Sequence, residues 1–379
     1  MAPDLFIGLM SGTSLDGADG VLVDFSGQDL QVLATASKAF APAFRAELLA
    51  LNTPSDNELH RAALAGNAIA ASYAEVVAEL LRQSAKQGIS AKDISAIGAH
   101  GQTVRHQPQR SADTPAGAGY TLQLNNPALL AELTNIDVVA DLRSRDVAAG
   151  GQGAPLVPAF HRSVFGQVNA TVAVLNLGGI ANLSVLPANP LAPVLGFDCG
   201  PGNALMDAWC LRHTGQAFDA SGAWAASGQL LPQLLRHLRD DPYFSLAPPK
   251  STGRDLFSLR WLEEKLQGFA KAPPQDIQNT LTEFTASSCI DCVRSYAKDS
   301  IELIVCGGGA FNQHLLQRLQ AGLPNLKVTT SDQHGLAPLE VEAAAFAWLA
   351  RQTMHRQPGN LPSVTGAAGP RILGAIYPA

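Results

Sequence analysis

The chain has 379 residues, of which 46% are hydrophobic and 15% are charged, and its formal net charge is −6. This composition excludes a disordered or fibrous protein, and the length exceeds the roughly 250–300 residues at which a single core stops growing, so we expect two domains. Because the chain is acidic and lacks a Lys/Arg cluster, nucleic acid and anionic membranes are poor partners, and a small-molecule substrate fits better.

The first predicted elements are two strands, 5–10 and 20–25, that flank a polar loop. Gly12 and Gly17 allow tight backbone conformations, so the loop can direct N–H and hydroxyl donors at anionic oxygens. Asp16 would repel a bare phosphate, which suggests that a divalent cation lies between carboxylate and phosphate. The pattern therefore predicts a metal-nucleotide loop, although the same residues are also common in ordinary hairpin turns.

A third strand, a helix and two further strands follow in the first half of the chain. The strand is predicted over 31–35, and the apolar residues of 64–81 share one helical face. The strand 94–99 leads into His100-Gly101-Gln102-Thr103, and the strand 136–140 leads into Asp141 and Arg143. Polar residues at the carboxyl ends of strands are where open α/β sheets bind their ligands.

A glycine-rich segment, Gly150–Pro155, precedes a second copy of the opening pattern. Strand 171–177, the Gly178-Gly179 turn and strand 180–186 repeat the strand–turn–strand unit, which predicts an internal duplication. We place the domain crossing near the glycine-rich segment. The predicted domains are 1–145, completed by the carboxyl-terminal segment 346–379, and 146–345.

The remaining elements of the second half alternate between strands and helices. Strand 194–197 precedes Asp198 and a helix over 204–211, and the region between 205 and 270 is mainly helical. A helical pattern then joins Ile277 to Tyr296. A buried strand, 301–306, meets Gly307-Gly308-Gly309, and helical patterns follow from Leu315 and over 342–350.

The five cysteines are an odd number, which favours a reducing compartment and free thiols. Cys289 and Cys292 match C-x-x-C, but they lie in a helical pattern without a second pair. The amino-terminal residues lack the pattern of a signal peptide, and no run of about 18 apolar residues occurs. We expect a cytoplasmic protein.

The glycine turns join strand to strand, whereas a Walker loop or a dinucleotide fingerprint requires strand, loop and helix. Two matching hairpins that hold nucleotide phosphates are typical of the hexokinase–actin–Hsp70 superfamily. Within it, the chain resembles the anhydro-N-acetylmuramic acid kinase family. The matching motifs are Gly8–Gly17, Gly98–Thr103, Ala140–Arg143, Gly150–Leu156, Asn176–Asn182, Gly196–Asn203, Pro249–Arg254 and Cys306–Asn312. Cys199 departs from the threonine expected in many members.

The resemblance implies a two-domain α/β protein of the actin/hexokinase-like (ribonuclease H-like) fold with an interdomain cleft. The implied activity is an ATP-dependent kinase that opens the 1,6-anhydro ring of anhydro-N-acetylmuramic acid with water and phosphorylates O6. The product would be N-acetylmuramic acid 6-phosphate, made during cell-wall recycling. The resemblance further implies Mg²⁺ as cofactor and a homodimer.

We predict Asp198 as the catalytic base, because it follows an apolar strand and precedes a glycine-rich turn. A structural alternative is an aspartate that caps the following helix. The predicted nucleotide-binding residues are Gly12, Thr13, Ser14, Leu15, Asp16, Gly17, Ala18, Asp19, Gly178, Gly179, Gly307, Gly308 and Gly309. For Gly307–Gly309, an adenosine-binding role is what the resemblance implies, and plain loop flexibility is the alternative. Asp16 is also the predicted metal-side carboxylate, and its structural alternative is a local Asx-turn.

The predicted sugar-binding residues are Thr103, Asp141, Arg145 and Glu342. Arg145 or Arg143 suits the lactyl carboxylate of the sugar, because a guanidinium pairs with a carboxylate in two parallel hydrogen bonds. Glu342 has a simple alternative, since a glutamate on an alanine-rich helix commonly faces solvent.

Two further motifs are left outside the predicted site. The basic segment Lys250–Arg254 could approach phosphate, but a lead-in to a helix explains it equally well. The spacing of His100 and His106 does not place both on one helical face, so we predict no metal site there.

Two rival functions remain open at this point. The first is another small-molecule sugar kinase of the same superfamily, which deprotonates a free hydroxyl without cleaving a bond. The second is a nucleotide-driven conformational ATPase, which would use the same phosphate loops without a sugar pocket. Product analysis separates the first, and ATP hydrolysis that ignores added sugar would favour the second.

Overall fold

The structure is a computed structural model that describes residues 4–12, 15–108, 119–253 and 256–379. The chain divides into two compact units. Unit 1 comprises Met1–Val164 and Glu340–Ala379, and unit 2 comprises Phe165–Leu339. Unit 1 is therefore built from two segments that are far apart in sequence.

Strands and helices alternate through most of the described chain. The strands are β1 Leu5–Met10, β2 Gly17–Asp24, β3 Gln31–Ala39, β4 Ile94–Ala99, β5 Gln102–Gln107, β6 Tyr120–Leu124, β7 Val138–Ala140, β8 Thr171–Leu177, β9 Ile180–Leu186, β10 Leu195–Pro201, β11 Ser300–Cys306, β12 Lys327–Thr330 and β13 Ala375–Tyr377. The α-helices are α1 Pro42–Ala50, α2 Glu58–Ser84, α3 Pro127–Thr134, α4 Ser144–Ala148, α5 Val157–Phe165, α6 Ala204–Thr214, α7 Ala223–Ala226, α8 Pro232–Arg239, α9 Leu259–Lys265, α10 Pro274–Tyr296, α11 Gln313–Gly322, α12 Val341–Met354 and α13 Pro362–Thr365.

Each unit contains a mixed sheet, and five strands of the two sheets share one order, while the edge strand β13 is additional in unit 1. In unit 1 the order is β13-β7-β4-β1-β2-β3, and in unit 2 it is β10-β9-β8-β11-β12. In both, an antiparallel meander of three strands is followed by two strands parallel to the first of them. The predicted internal duplication is confirmed, and the repeated topology is the actin/hexokinase-like arrangement that the resemblance implies.

Helix α12 lies directly on β1 and β4 because two glycines leave room for its backbone. A Cβ atom at Gly8 would lie 1.9 Å from the Ala343 carbonyl oxygen, and one at Gly98 would lie 2.0 Å from that of Phe346. No side chain fits in such a space. The carboxyl-terminal segment thereby supplies one layer of the core of unit 1.

The buried carboxylate of Asp146 joins the two segments of unit 1 by hydrogen bonds. Its oxygens accept from the Gly153 N–H at 2.8 Å, the Asn360 side-chain amide at 2.6 Å and the Thr365 hydroxyl at 2.7 Å. A fully buried carboxylate needs such donors, since an unpaired charge in the interior is costly. The glycine-rich segment that starts at Gly150 is fixed in this way.

Helix α2 is long and apolar enough to cross a membrane by length and composition alone. Half of its most apolar window is buried inside the protein, where Tyr73, Val76, Val77 and Leu80 pack in the core of unit 1. This burial accounts for its apolar character.

Unit 2 has its own core, between the sheet and helices α6, α8, α10 and α11. All five cysteines are buried free thiols, as predicted. Cys289 and Cys292 lie on the buried part of α10, where they pack among apolar side chains.

Candidate active site

The polar loop between β1 and β2 is held at the carboxyl edge of the sheet of unit 1. The buried Ser11 hydroxyl donates to Oε1 of Gln102 at 2.5 Å, and the Leu15 N–H donates to the Gly12 carbonyl at 3.2 Å. Leu15 adopts a left-handed backbone conformation with φ 59°. The predicted residues Thr13 and Ser14 lie outside the described residues.

The described side chains of this loop separate into apolar and acidic ones. Leu15 and Ala18 are buried in the core, so only their backbone groups could face a nucleotide. Asp16 is exposed, and Asp19 keeps an exposed edge. Partial desolvation of Asp19 and, secondarily, the negative charge of Asp16 raise the pKa of Asp19 to about 6. Two mutually repelling carboxylates provide the hard oxygen donors that suit Mg²⁺, so these residues fit the implied cation.

Arg143, which follows β7, binds His100, which follows β4. The guanidinium donates to His100 Nε2 from Nε at 3.0 Å and from Nη2 at 2.9 Å, and Nη1 donates to the Gly153 carbonyl at 2.8 Å. Because a guanidinium can only donate, the imidazole accepts at Nε2 and is neutral. Burial and, secondarily, the Arg143 charge lower the pKa of His100 to about 3.

Arg143 is the centre of a charged group that includes Glu342. Burial lowers the pKa of Arg143 to about 10, while the negative charges of Glu342 and Asp146 act against that shift. Burial and then the Arg143 charge lower the pKa of His106 to about 4. Glu342 lies in the first turn of α12, so the close packing of that helix on β1 and β4 holds its carboxylate near Arg143.

The other predicted sugar residues have different surroundings. Thr103 lies on β5, and its hydroxyl oxygen accepts from the Gln123 side-chain amide at 3.1 Å. Asp141 is exposed after β7, with φ 57°, and accepts from the Ser144 hydroxyl at 2.5 Å. Arg145 is exposed on α4 and lines a cavity with carboxyl-terminal residues. The described contacts thus associate Arg143, rather than Arg145, with Glu342.

In unit 2, the Gly178-Gly179 turn is bound to the start of α6. The Gly178 carbonyl accepts from the Asn203 N–H at 2.8 Å, and the Gly179 carbonyl accepts from the Gly202 and Ala204 N–H groups at 3.0 and 3.2 Å. The Asn203 side chain donates to the Leu177 carbonyl at 2.8 Å. These hydrogen bonds engage the carbonyl groups of Gly178 and Gly179 and fix the conformation of the turn.

Gly307-Gly308-Gly309 packs against the same turn. A Cβ atom at Gly307 would lie 2.4 Å from Asn176 Oδ1, and one at Gly309 would lie 2.5 Å from Leu177 Cβ. Gly307 also has φ 78°, a conformation that favours glycine. Glycine motifs well over 100 residues apart in sequence therefore meet at one edge of the sheet.

Asp198 lies on β10 opposite Asn182, next to a register irregularity at Cys199. Its Oδ2 accepts from the Thr252 N–H at 2.9 Å, its N–H donates to the Lys250 carbonyl at 3.1 Å, and its carbonyl accepts from the Tyr243 hydroxyl at 2.7 Å. Burial raises the pKa of Asp198 to about 6, against the opposing Thr252 N–H and the Lys250 charge. A fixed carboxylate with this pKa can accept a proton near neutral pH.

A family model for anhydro-N-acetylmuramic acid kinase matches residues 4–379. The chain belongs to the anhydro-N-acetylmuramic acid kinase family. A relative of that name from Variovorax paradoxus is 64% identical over the whole of both chains, and one from Albidiferax ferrireducens is 63% identical over 99% of this chain and 100% of its own. A similar solved structure is a ROK family glucokinase from Streptomyces griseus with glucose and AMPPNP, with TM-score 0.41, 15% identity and coverage of 92% of this chain and 99% of its own.

Membership of the anhydro-N-acetylmuramic acid kinase family makes this chain an ATP-dependent phosphotransferase with an alcohol group as acceptor. Family membership therefore favours the predicted kinase over a conformational ATPase.

Two contacts of the candidate site were missed by the sequence reasoning. The Lys250–Thr252 loop, which was left outside the predicted site, hydrogen bonds to Asp198 at both its N–H and its carboxylate. The His100–Arg143 pair was also not predicted. A signal for it existed, since both residues follow the ends of parallel strands that share one sheet edge.

Proposed function

We propose that Asp198 is the general base of this kinase reaction. The observation that carries the proposal is its half-buried carboxylate, which the Thr252 N–H holds in place and whose pKa desolvation raises to about 6. In the reaction, water attacks the anomeric carbon of anhydro-N-acetylmuramic acid and loses a proton to Asp198. The C1–O6 bond breaks, and O6 attacks the γ-phosphorus of ATP to release ADP. Positioned general bases contribute typically about 10²–10⁴-fold to rate.

The polar residues of unit 1 are proposed to bind the sugar. Thr103, Asp141 and Glu342 would contact its hydroxyl and acetamido groups. Of the two arginines considered for the lactyl carboxylate, Arg143 is better supported, because hydrogen bonds to His100 and to the Gly153 carbonyl fix its guanidinium at the carboxyl edge of the sheet. Arg145, the other arginine predicted for that carboxylate, lines a separate cavity with carboxyl-terminal residues of unit 1.

The nucleotide roles are proposed for the backbone of the glycine turns. Gly12, Leu15, Asp16, Gly17, Ala18 and Asp19 in unit 1, and Gly178, Gly179 and Gly307–Gly309 in unit 2, would offer N–H groups and open space to ATP. Within the described residues there is no group of three or more potential metal ligands. Asp16, supported by Asp19, would therefore hold Mg²⁺ together with phosphate oxygens and water, and the bound cation would neutralise charge on the transferred phosphate. We further propose a cytoplasmic homodimer.

The Asp198→Asn variant tests the base directly. It keeps the shape of the side chain but removes its basicity, so we expect near-normal binding of ATP and sugar by calorimetry and a loss of turnover of at least about 10²-fold. Asp207→Asn, on the nearby helix α6, is the matched control. An active Asp198→Asn enzyme would remove Asp198 from the catalytic role.

Isotope labelling tests the order of bond changes. With wild-type enzyme in 18-oxygen water, the label is expected at the anomeric hydroxyl of the product, read before mutarotation exchanges it. O6 and the phosphate oxygens should stay unlabelled. Label on phosphate would mean that water attacks phosphorus, which contradicts the proposed reaction.

A further inference from the structure

Unit 1 contains a cavity of about 660 Å³ between α4 and the carboxyl-terminal segment. Its lining includes Arg145 of α4, Arg356 just after α12, and Arg371. The volume lies in the range of about 300–1,000 Å³ that is typical of small-molecule sites. The size therefore suits a ligand of roughly the dimensions of a monosaccharide.

The charge of this cavity is unbalanced. No acidic residue is among those that line it, and no carboxylate within the described ranges forms an ion pair with any of the three arginines. Other arginines of the same unit are paired, as Arg61 is with Glu47 and Arg351 with Asp4. Three positively charged side chains without a carboxylate partner among the described residues make this cavity favourable for an anion.

Hydrogen bonds fix the backbone that carries two of these arginines. The Arg356 N–H donates to the Thr353 carbonyl at 3.0 Å, at the end of α12. The Arg371 N–H donates to Asn360 Oδ1 at 2.6 Å, and its carbonyl accepts from the Gly359 N–H at 3.0 Å. The guanidinium groups thus extend from an ordered frame, which lowers the entropic cost of gathering them around a ligand.

The rest of the lining limits the chemistry of that ligand. Pro370, Ile372 and Ile376 give the cavity an apolar side. Three positive charges exceed what one carboxylate neutralises, whereas a phosphate monoester carries about two negative charges at neutral pH and accepts paired hydrogen bonds from arginine. An apolar side next to a cationic side suits a sugar ring that bears a phosphate.

We propose that this cavity is a second ligand site, distinct from the proposed active site, and that it binds a phosphate monoester of sugar size. The inference gives Arg145 a ligand other than the lactyl carboxylate. It does not depend on the proposed role of Asp198, because none of the described residues of unit 2 lines the cavity.

Calorimetric titration of the full chain with glucose 6-phosphate tests the proposal. Saturating AMPPNP and anhydro-N-acetylmuramic acid are present throughout, so that the active site is occupied. We expect saturable binding, no binding of glucose, and weaker binding of inorganic phosphate. Arg356→Ala and Arg371→Ala should each lower the affinity by about tenfold, as loss of one charge-assisted contact predicts.

Arg236→Ala, an exposed arginine of unit 2, is the matched control and should bind the ester normally. Arg356→Lys and Arg371→Lys, which keep the charge, should bind with intermediate affinity, and thermal melting checks that every variant is folded. Three results would overturn the proposal. They are equal weak binding of ester and inorganic phosphate, which means an adventitious anion only, unchanged affinity in both alanine variants, or no saturable binding of the ester to the enzyme whose active site is filled.

Discussion

At the scale of single residues, the candidate site depends on how burial changes the proton affinity of particular groups. Burial raises the pKa of Asp198, whereas the nearby Lys250 charge and the Thr252 N–H lower it. The pKa of His100 is shifted in the other direction, because burial and the Arg143 charge lower it and keep the ring neutral. The first group is thereby suited to accept a proton, and the second to accept a hydrogen bond from a permanent cation.

The acidic limb of the pH–rate profile should report Asp198. Because the base must be ionised, kcat/KM should fall as pH falls through about 6. Lys250→Met removes the positive charge that lowers the pKa of Asp198, so we expect the limb to move to higher pH. Lys271→Met, an exposed lysine of the same unit, is the control. An unmoved limb in Lys250→Met would show that Asp198 does not control it.

Asp16→Asn is expected to weaken the use of magnesium much more than the binding of sugar. One of two acidic donors is lost, so the Mg²⁺ concentration for half-maximal activity should rise by about tenfold or more. Desolvation is the main cause of the raised pKa of Asp19, and the same change removes the second cause, the negative charge of Asp16. Titration of Mg²⁺ at fixed ATP measures the effect, with Asp29→Asn on the exposed surface as control. A normal requirement for Mg²⁺ in Asp16→Asn would contradict the metal role.

At the scale of elements, glycines decide where helix and strand can touch. Gly8 and Gly98 let α12 approach the sheet, and Gly307 and Gly309 let the end of β11 pack against Asn176 and Leu177. The first contact places Glu342 near Arg143, and the second brings two glycine turns together. Glycines in the strands and just after them thus allow the close packing that positions the polar groups of the site.

Gly98→Ala should destabilise unit 1 although position 98 carries no polar side chain. Its Cβ would lie 2.0 Å from a carbonyl oxygen of α12, so the helix must shift. We expect a loss of about 1–3 kcal/mol in the free energy of unfolding, measured with denaturant. Ser95→Ala in the same strand is exposed and should change stability by less than about 0.5 kcal/mol. Equal stabilities of the two variants would refute the packing argument.

Much of this arrangement could be predicted from local sequence patterns. The strand–turn–strand units and the apolar face of α2 are periodic signals, and both correspond to elements of the structure. Strand β13 was missed, because three residues carry no pattern and the strand is defined by its pairing with β7. The contact of Thr252 with Asp198 was missed for the same reason, since it joins residues 54 positions apart that no local pattern relates. The domain crossing predicted after residue 145 was inferred from the nearby glycine-rich segment Gly150–Pro155, whereas the structure assigns the chain up to Val164 to unit 1.

At the scale of the whole molecule, the two units differ in how the chain forms them. Unit 2 is one continuous segment whose sheet and core need no residue from outside Phe165–Leu339. Unit 1 takes α12 and β13 from Glu340–Ala379. Its amino-terminal segment alone would expose the faces of β1 and β4 that α12 covers, and would leave Asp146 without two of its donors.

Separate fragments should therefore behave differently. We expect 165–339 to give a cooperative thermal transition by circular dichroism, because it keeps a complete core. The fragment 1–164 should give no cooperative transition. A cooperative transition of 1–164, or a failure of 165–339 to fold under the same conditions, would contradict the division described here.

The discontinuity of unit 1 has a consequence for synthesis on the ribosome. Residues 1–164 are made first, yet the helix that covers β1 and β4 is made only after all of unit 2. Domains fold as units while the chain emerges, at about 5–20 residues per second. The nascent amino-terminal segment must then wait through the synthesis of unit 2 with an incomplete core, and the apolar faces of β1 and β4 stay uncovered during that time.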